Sequence, residues 1–165
     1  MPFVQRDQSG AITGLYARPQ EGYAEEFLAD NDAAVLAWLN PPPGPVAVDA
    51  ERDRRILAFS YAGKAYQLDD NSQQNIIAAT TRAILVLSAG GTLAAPGNLR
   101  WFDPSNDFGW IATDNSIVPM DATAMATFGG AVQTWVSRHI FAARAIKNLS
   151  PIPADFAADS RWPSS

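Results

Sequence analysis

The sequence predicts an α+β fold: antiparallel β-hairpins packed against two helices, the C-terminal one long, behind a small N-terminal hairpin–helix module. Three observations carry this expectation. Short runs of alternating apolar and polar residues come in pairs joined by turn-forming residues such as Gly10, Gly63 and Asp114-Asn115. The members of each pair are not separated by a crossover helix, so the strands are antiparallel. The stretch from Asp121 to Leu149 places Met125, Phe128, Val132, Trp135, His139, Ala142 and Ile146 at alternating steps of three and four. That spacing lines one face of an α-helix.

Taken in order, Phe3 to Asp7 and Ile12 to Ala17 alternate around Gln8-Ser9-Gly10 and read as a hairpin, its apolar face carrying Val4, Ile12 and Tyr16. Glu25 to Ala29 reads as a third short strand. Asp30-Asn31-Asp32 supplies N-caps for a short helix ending at Leu39, because their side-chain oxygens accept from free first-turn amides. Pro41 to Pro45 cannot continue a helix and forms a stiff linker. Val46 to Arg54 suits a short charged helix. Arg55 to Tyr61 and Ala65 to Asp69 form a second hairpin about Gly63, with Phe59 and Tyr61 on one face and Tyr66 and Leu68 across from them.

Asp70-Asn71-Ser72 caps a helix from Gln73 to Ser88, whose inner stripe is Ile76, Thr80, Ala83, Ile84 and Leu87, with Gly90-Gly91 as its stop. Residues 92 to 107 read as a loop anchored by Trp101-Phe102. Phe108 to Met120 gives a third hairpin with a type I′ turn at Asp114-Asn115 and an edge or terminal strand at Pro119. The long helix follows, with Asp121 as N-cap, Val136, Ile140 and Ala143 widening its buried face, and a length of about 40 Å. Gly129-Gly130 costs roughly 1 kcal/mol per residue against Ala in a helix interior. Close packing against the hairpins or a second copy is the expected compensation. Residues 151 to 165 read as an extended tail pinned at most by Phe156 and Trp162. The division is thus 1–40 module, 41–45 linker, 46–150 main domain and 151–165 tail.

The totals exclude several functions. With 165 residues the chain has room for one main domain, and a net charge of −5 with scattered basic residues argues against a nucleic-acid partner. There is no Cys, so disulfides and thiolate metal sites are ruled out. The segment MPFVQRDQSG has no apolar core, so no secretory signal is expected, and the apolar run Ala83 to Ala89 is too short for membrane insertion. Only 18% of residues are charged, which favours a protein with protein neighbours.

No catalytic, cofactor-binding or metal site is predicted. His139, the single histidine, lies on the apolar stripe of the long helix and reads as a core or interface residue; in a self-associating helix it would form a polar, pH-sensitive layer. Asp69, Asp70, Asp103, Asp107 and Asp114 read as caps and turn residues, since the spacing of an oxygen-ligand loop is missing. Neither Gly-Gly pair fits a phosphate-binding fingerprint. The residues expected to make contacts with partners are Phe128, Val132, Trp135, His139 and Ile146 on the long helix, covered by hairpins or by a sister subunit in a homo-oligomer.

Residues 56 to 147 resemble a domain of unknown function found in bacteriophage and prophage tail-fibre and tail-assembly genes. The resemblance rests on the Gly63 hairpin, Tyr66-Gln67-Leu68-Asp69, Ser72 before Asn75-Ile76, Trp110, Asp114-Asn115, Val118-Pro119-Met120, Met125, and Ala142-Ala143-Arg144-Ala145-Ile146-Lys147. The N-terminal FVQRDQSGAITGLYA and the Pro run resemble the leader joined to that domain in phages. This implies a non-enzymatic structural protein of the tail tip, baseplate or fibre region, made in the bacterial host cytoplasm and residing in the virion tail, with other tail or fibre proteins as partners. It implies one alternative, a fibre-assembly chaperone that does not stay in the virion; a third class, a tail-associated cell-wall hydrolase, has no residue pattern behind it. It carries over no catalytic residue and no cofactor.

Overall fold

The computed structural model describes residues 2–164. The chain forms two compact units, Met1–Pro43 and Gly44–Ser165. In the first, β1 (Phe3–Arg6) is the middle strand of a three-stranded antiparallel sheet, between β2 (Ile12–Tyr16) and β3 (Glu26–Phe27). Val4 lies opposite Leu15 and Phe3 opposite both Tyr16 and Phe27. An irregularity between Gln5 and Arg6 brings Arg6 opposite Ile12. Val4 thus shares its face with Leu15, and Tyr16, expected on the Val4 face, falls on the other face with Phe3, because side chains alternate along a strand. Arg6 holds Glu26 with two hydrogen bonds, of 2.7 and 2.9 Å, across the sheet. Helix α1 (Ala33–Leu39) is capped by the Asp32 carboxylate, which accepts from Ala34 N, and Val35 is its buried residue.

The second unit begins with α2 (Pro45–Ile56), in which Pro45 occupies the first turn. The linker therefore ends before Pro45. A proline at the start of a helix loses no hydrogen bond and brings its φ already set. Helix α2 also takes in Arg55 and Ile56, which alternate like strand residues. Glu51 draws them in, pairing with Arg54 and Arg55 three and four residues on. The strands that follow are short: β4 (Phe59–Tyr61) and β5 (Lys64–Tyr66), joined through Ala62 and Gly63, both at positive φ, as a type I′ turn requires.

Helix α3 (Asp70–Ala89) starts at Asp69, whose side chain accepts from Ser72 N, and stops at Gly90 with φ 70°. Two 3₁₀ turns, Thr92–Ala94 and Leu99–Trp101, shape the following segment around Trp101, which is buried and donates from Nε1 to Met120 O at 2.8 Å. Phe102 beside it stays partly exposed. Strands β6 (Gly109–Ile111) and β7 (Ile117–Pro119) pair in register, and β7 ends at Pro119. Only Asn115 of their connection has positive φ, so the loop is not type I′. The reason is local: the Asp114 carboxylate accepts from Ser116 N and Oγ, which fixes Asp114 in an ordinary backbone region.

Helix α4 (Ala122–Lys147) is 26 residues long, unbroken, and capped by Asp121 through Ala124 N. Its N-terminal half packs on α3 and under both hairpins. Phe128 sits at the centre, with Tyr66, Tyr61 and Trp110 ring centroids at 4.8, 5.5 and 6.0 Å. The hairpins meet each other where Thr113 N donates to Ala65 O at 3.0 Å and Lys64 pairs with Asp114 at 2.7 Å. The C-terminal half of α4 packs on α2 and the tail: Val48, Ala143, Ile146 and Trp162 form a second buried cluster. The tail is thus not extended. It folds into turns, including a 3₁₀ turn at Asp159–Arg161, and Trp162 is buried. Arg55 holds it by donating to Ala157 O and Asp159 Oδ1, with its guanidinium over the Trp162 ring.

Two residues assigned to inner stripes face outward instead. Ile84 and Ile140 are about half exposed. Each lies at the margin of an apolar arc, and what packs alongside decides on which side of the margin it falls.

Candidate interaction surface

The five residues expected to contact partners are placed inside the chain's own fold. Phe128, Val132, His139 and Ile146 are buried, and Trp135 is half-buried with its ring against Phe59 and His139 at 5.9 and 4.2 Å. Trp135 Nε1 donates to Ile56 O at 3.1 Å, satisfying a carbonyl at the end of α2. The apolar stripe is therefore the core, covered by α2, α3, the hairpins and the tail. Periodicity says that a face is buried; it does not say by what, and here the chain covers it without a sister subunit.

His139 Nδ1 is 2.9 Å from Trp135 O, four residues back on the same helix. A carbonyl only accepts, so in this arrangement Nδ1 carries the proton. The ring stacks near Trp162 at 6.2 Å and, among the described residues, no carboxylate hydrogen-bonds to it. The acids are spread over separate tasks. Asp69 accepts from Ser72 N and Oγ, Asp103 from Ser105 N and Asn106 Nδ2, and Asp107 pairs with Arg100. Hydrogen bonds from Ser72 hold the Asp69 carboxyl below the usual carboxylate range, and the Ala124 amide does the same for Asp121. Among the described residues no three acidic or histidine side chains converge in a way that would hold a metal ion. No helix of the described residues is long and apolar enough to cross a membrane.

What the structure does present is a surface the sequence reading missed. Helix α3 carries Ile77, Ile84 and Leu85 at 49%, 51% and 64% exposure, with exposed Ala78 and Thr81 between them. These positions share one face of the helix. Thr81 Oγ1 donates to Ile77 O and Ser88 Oγ to Ile84 O, so both hydroxyls are spent on their own helix. What they turn outward is carbon. Arg82 is drawn away to the flank, donating to Phe102 O at 2.9 Å with its guanidinium over the Phe102 ring.

Beside this face runs the seam between α3 and α4. Gly129 has no side chain to hold the helices apart, and they close on each other at Thr80. A groove of about 270 Å³ opens along the seam between Ile77, Thr81 and Gln133. A second concavity on α4, bounded by Gln133, Thr134, Ser137 and Arg138, continues from it. Helix α4 contains no Asp or Glu at all. The outer face of α3 is therefore a largely apolar strip of the kind that marks a contact surface, and α4 beside it carries the exposed cations Arg138 and Arg144. A smaller exposed pair, Ile111 opposite Ile117, lies on the β6–β7 hairpin. The signal for the α3 face was present in the sequence. Ile76-Ile77 and Ile84-Leu85-Val86-Leu87 put apolar residues all round the helix, more than one core stripe accounts for.

No curated protein and no solved structure matches the chain. A family model described as a domain of unknown function, DUF4376, matches residues 45–159, well over half the chain and nearly all of its second unit, and the protein belongs to that family.

Proposed function

We propose that the protein is a non-enzymatic component of a bacteriophage tail, working at the tail tip, baseplate or fibre region through protein–protein contacts. The observation that carries this reading is the apolar strip of Ile77, Ile84 and Leu85 along α3. Three large aliphatic side chains held in water on one rigid helix are costly to solubility and gain their use when covered. The pattern of residues 56 to 147, which resembles a domain of phage tail-fibre genes, supplies the setting. His139 supports a structural role through its enclosure between Trp135 and Trp162.

The test is mass spectrometry of purified virions from a phage or prophage encoding the chain. Stoichiometric presence supports the structural component. Absence from mature particles, with co-purification of newly made fibre, supports a fibre-assembly chaperone instead. Absence from both overturns the tail reading. Lysis zones on peptidoglycan overlays would point to a cell-wall hydrolase.

A further inference from the structure

The geometry points to a second copy of this chain as the occupant of the α3 face, bound through a two-fold axis that passes beside Thr81. Three observations single out this partner. The exposed face is self-complementary when read in opposite directions from Thr81: in an antiparallel pair of α3 helices, Ile77 meets Leu85 of the other copy and Ala78 meets Ile84. Each pair sets aliphatic against aliphatic, and Thr81 meets itself through its methyl group, since its hydroxyl is bonded to Ile77 O. One step further out, exposed Gln74 meets exposed Ser88, a small side chain whose hydroxyl is already bonded to Ile84 O.

Charge is the second observation. An isologous contact lays each residue near its own symmetry mate, so a charged face repels itself. Between Asp70 and Ala89 the single charged side chain of α3 is Arg82, and it is held on Phe102 at the flank. The α3 face therefore brings no like charges together in an isologous pair, and the exposed Arg138 and Arg144 stand beside it on α4.

The third is size. Helix α3 has 20 residues, a length of about 30 Å, and the stretch paired about Thr81, from Gln74 to Ser88, lies wholly within it. The Leu85 side chain, the most exposed of the three, has the groove between Thr81 and Gln133 of the other copy within its neighbourhood. This inference does not rest on the tail reading, because it concerns the purified chain.

The experiment is sedimentation equilibrium or light scattering on the full chain across a micromolar concentration series. The expected result is a concentration-dependent shift from the 17.7 kDa chain mass to twice that value. Leu85→Glu and Ile77→Lys are each expected to leave a monomer with unchanged far-UV circular dichroism. The double variant is expected to recover the dimer, because the introduced ammonium of one copy then faces the introduced carboxylate of the other across the axis, whereas within one helix the two charges sit about two turns apart. A wild-type chain that stays monomeric throughout the series overturns the proposal, and so does a dimer indifferent to Leu85→Glu. A double variant that stays monomeric overturns the antiparallel pairing about Thr81.

Discussion

Gly129 of α4 faces Thr80 of α3 so closely that a Cβ built on Gly129 would overlap Thr80 Oγ1 and stand 2.8 Å from Thr80 Cβ. Its neighbour Gly130 has nothing within 4 Å of the same position. The two glycines therefore respond in opposite ways to one methyl group. Gly130→Ala is expected to stabilise the protein by about 0.5–1 kcal/mol, the ordinary helix-propensity gain. Gly129→Ala has the same gain available but must push the helices apart, and it is expected to destabilise by about 1–3 kcal/mol, as overpacking does. Thermal melts of the two single variants check the signs. Adding Thr80→Gly to Gly129→Ala removes the obstructing side chain and is expected to recover part of the loss.

Trp135 ties α4 to the end of α2. Its ring packs on Phe59 and His139, and its indole N–H satisfies the Ile56 carbonyl. Trp135→Ala is expected to cost about 3–5 kcal/mol through the void it leaves. Trp135→Phe keeps most of the ring and loses the hydrogen bond, which is expected to cost about 1 kcal/mol beyond the change in volume. Urea unfolding at constant slope separates the two. Because the residue sits within one chain, neither variant is expected to change the association state directly.

Much of this architecture was legible in the sequence because local chemistry and tertiary structure agree there. Asp32 and Asp121 each precede a helix and each caps it through a backbone amide, while the helix expected from Gln73 under an Asp70-Asn71-Ser72 cap begins three residues earlier, with Asp69 as its cap. Gly63 marks a turn that demands positive φ, and the three-and-four spacing from Met125 to Ile146 marks a buried face. What escaped reading depends on partners distant in the chain. Nothing near Gly129 announces Thr80, which lies in a different helix on the far side of the third hairpin. Ile84 and Ile140 look like core residues by type, and only the placement of α3 beside α4 turns them outward. The tail reads as loose because its Pro and Ser residues are local signals, while the Arg55 that holds the Trp162 ring comes from the other end of the second unit. The candidate contact face was overlooked for a related reason. One apolar stripe was enough to explain α3 as a core helix, and the surplus on its other side became meaningful once the core was seen to be complete without it.

Lys64 and Asp114 join the tips of the two hairpins of the second unit at 2.7 Å. The hydrogen bond from Lys64, reinforced by Ser116, holds the Asp114 carboxyl well below its ordinary value of 3.8. Folding thus favours the charged form. The contribution is complete above the ordinary value and is lost as pH falls through the lower, folded-state value. Asp114→Asn is expected to lower the melting temperature slightly near neutral pH, as suits an exposed pair. The gap between variant and wild type is expected to close in strong acid. Melting curves over a pH series check this, and high salt is expected to narrow the same gap at neutral pH.

The second unit contains its own buried clusters, one around Phe128 and one around Val48 and Trp162, built only from residues after Gly44. Removing residues 1–43 is therefore expected to leave a remainder that unfolds cooperatively and keeps its near-UV aromatic signal. A remainder that binds hydrophobic dyes and melts without a transition would show that the first unit completes this core.

Trp162 makes the C-terminal tail part of the fold. Its side chain is buried with Val48, Ala143 and Ile146, its Nε1 donates to Phe156 O at 2.8 Å, and Arg55 lies 5.2 Å from its ring centre. Three separate attractions are thus centred on one residue near the end of the chain, where fraying is the usual tendency. Trp162→Ala is expected to cost about 3–5 kcal/mol, from the cavity between α2 and α4 and the lost indole hydrogen bond. Trp162→Phe keeps a ring for Arg55 and is expected to lose less than half of that. Arg55→Lys breaks the fork in which Nε holds Glu51 while Nη2 reaches Ala157 O and Asp159 Oδ1, and is expected to loosen residues 155–162 with little effect on the Phe128 cluster. Hydrogen exchange resolves the difference. Faster exchange confined to the tail and the facing turns of α2 and α4 is the expected pattern, and uniform acceleration across α3 as well would show that the two clusters unfold as one.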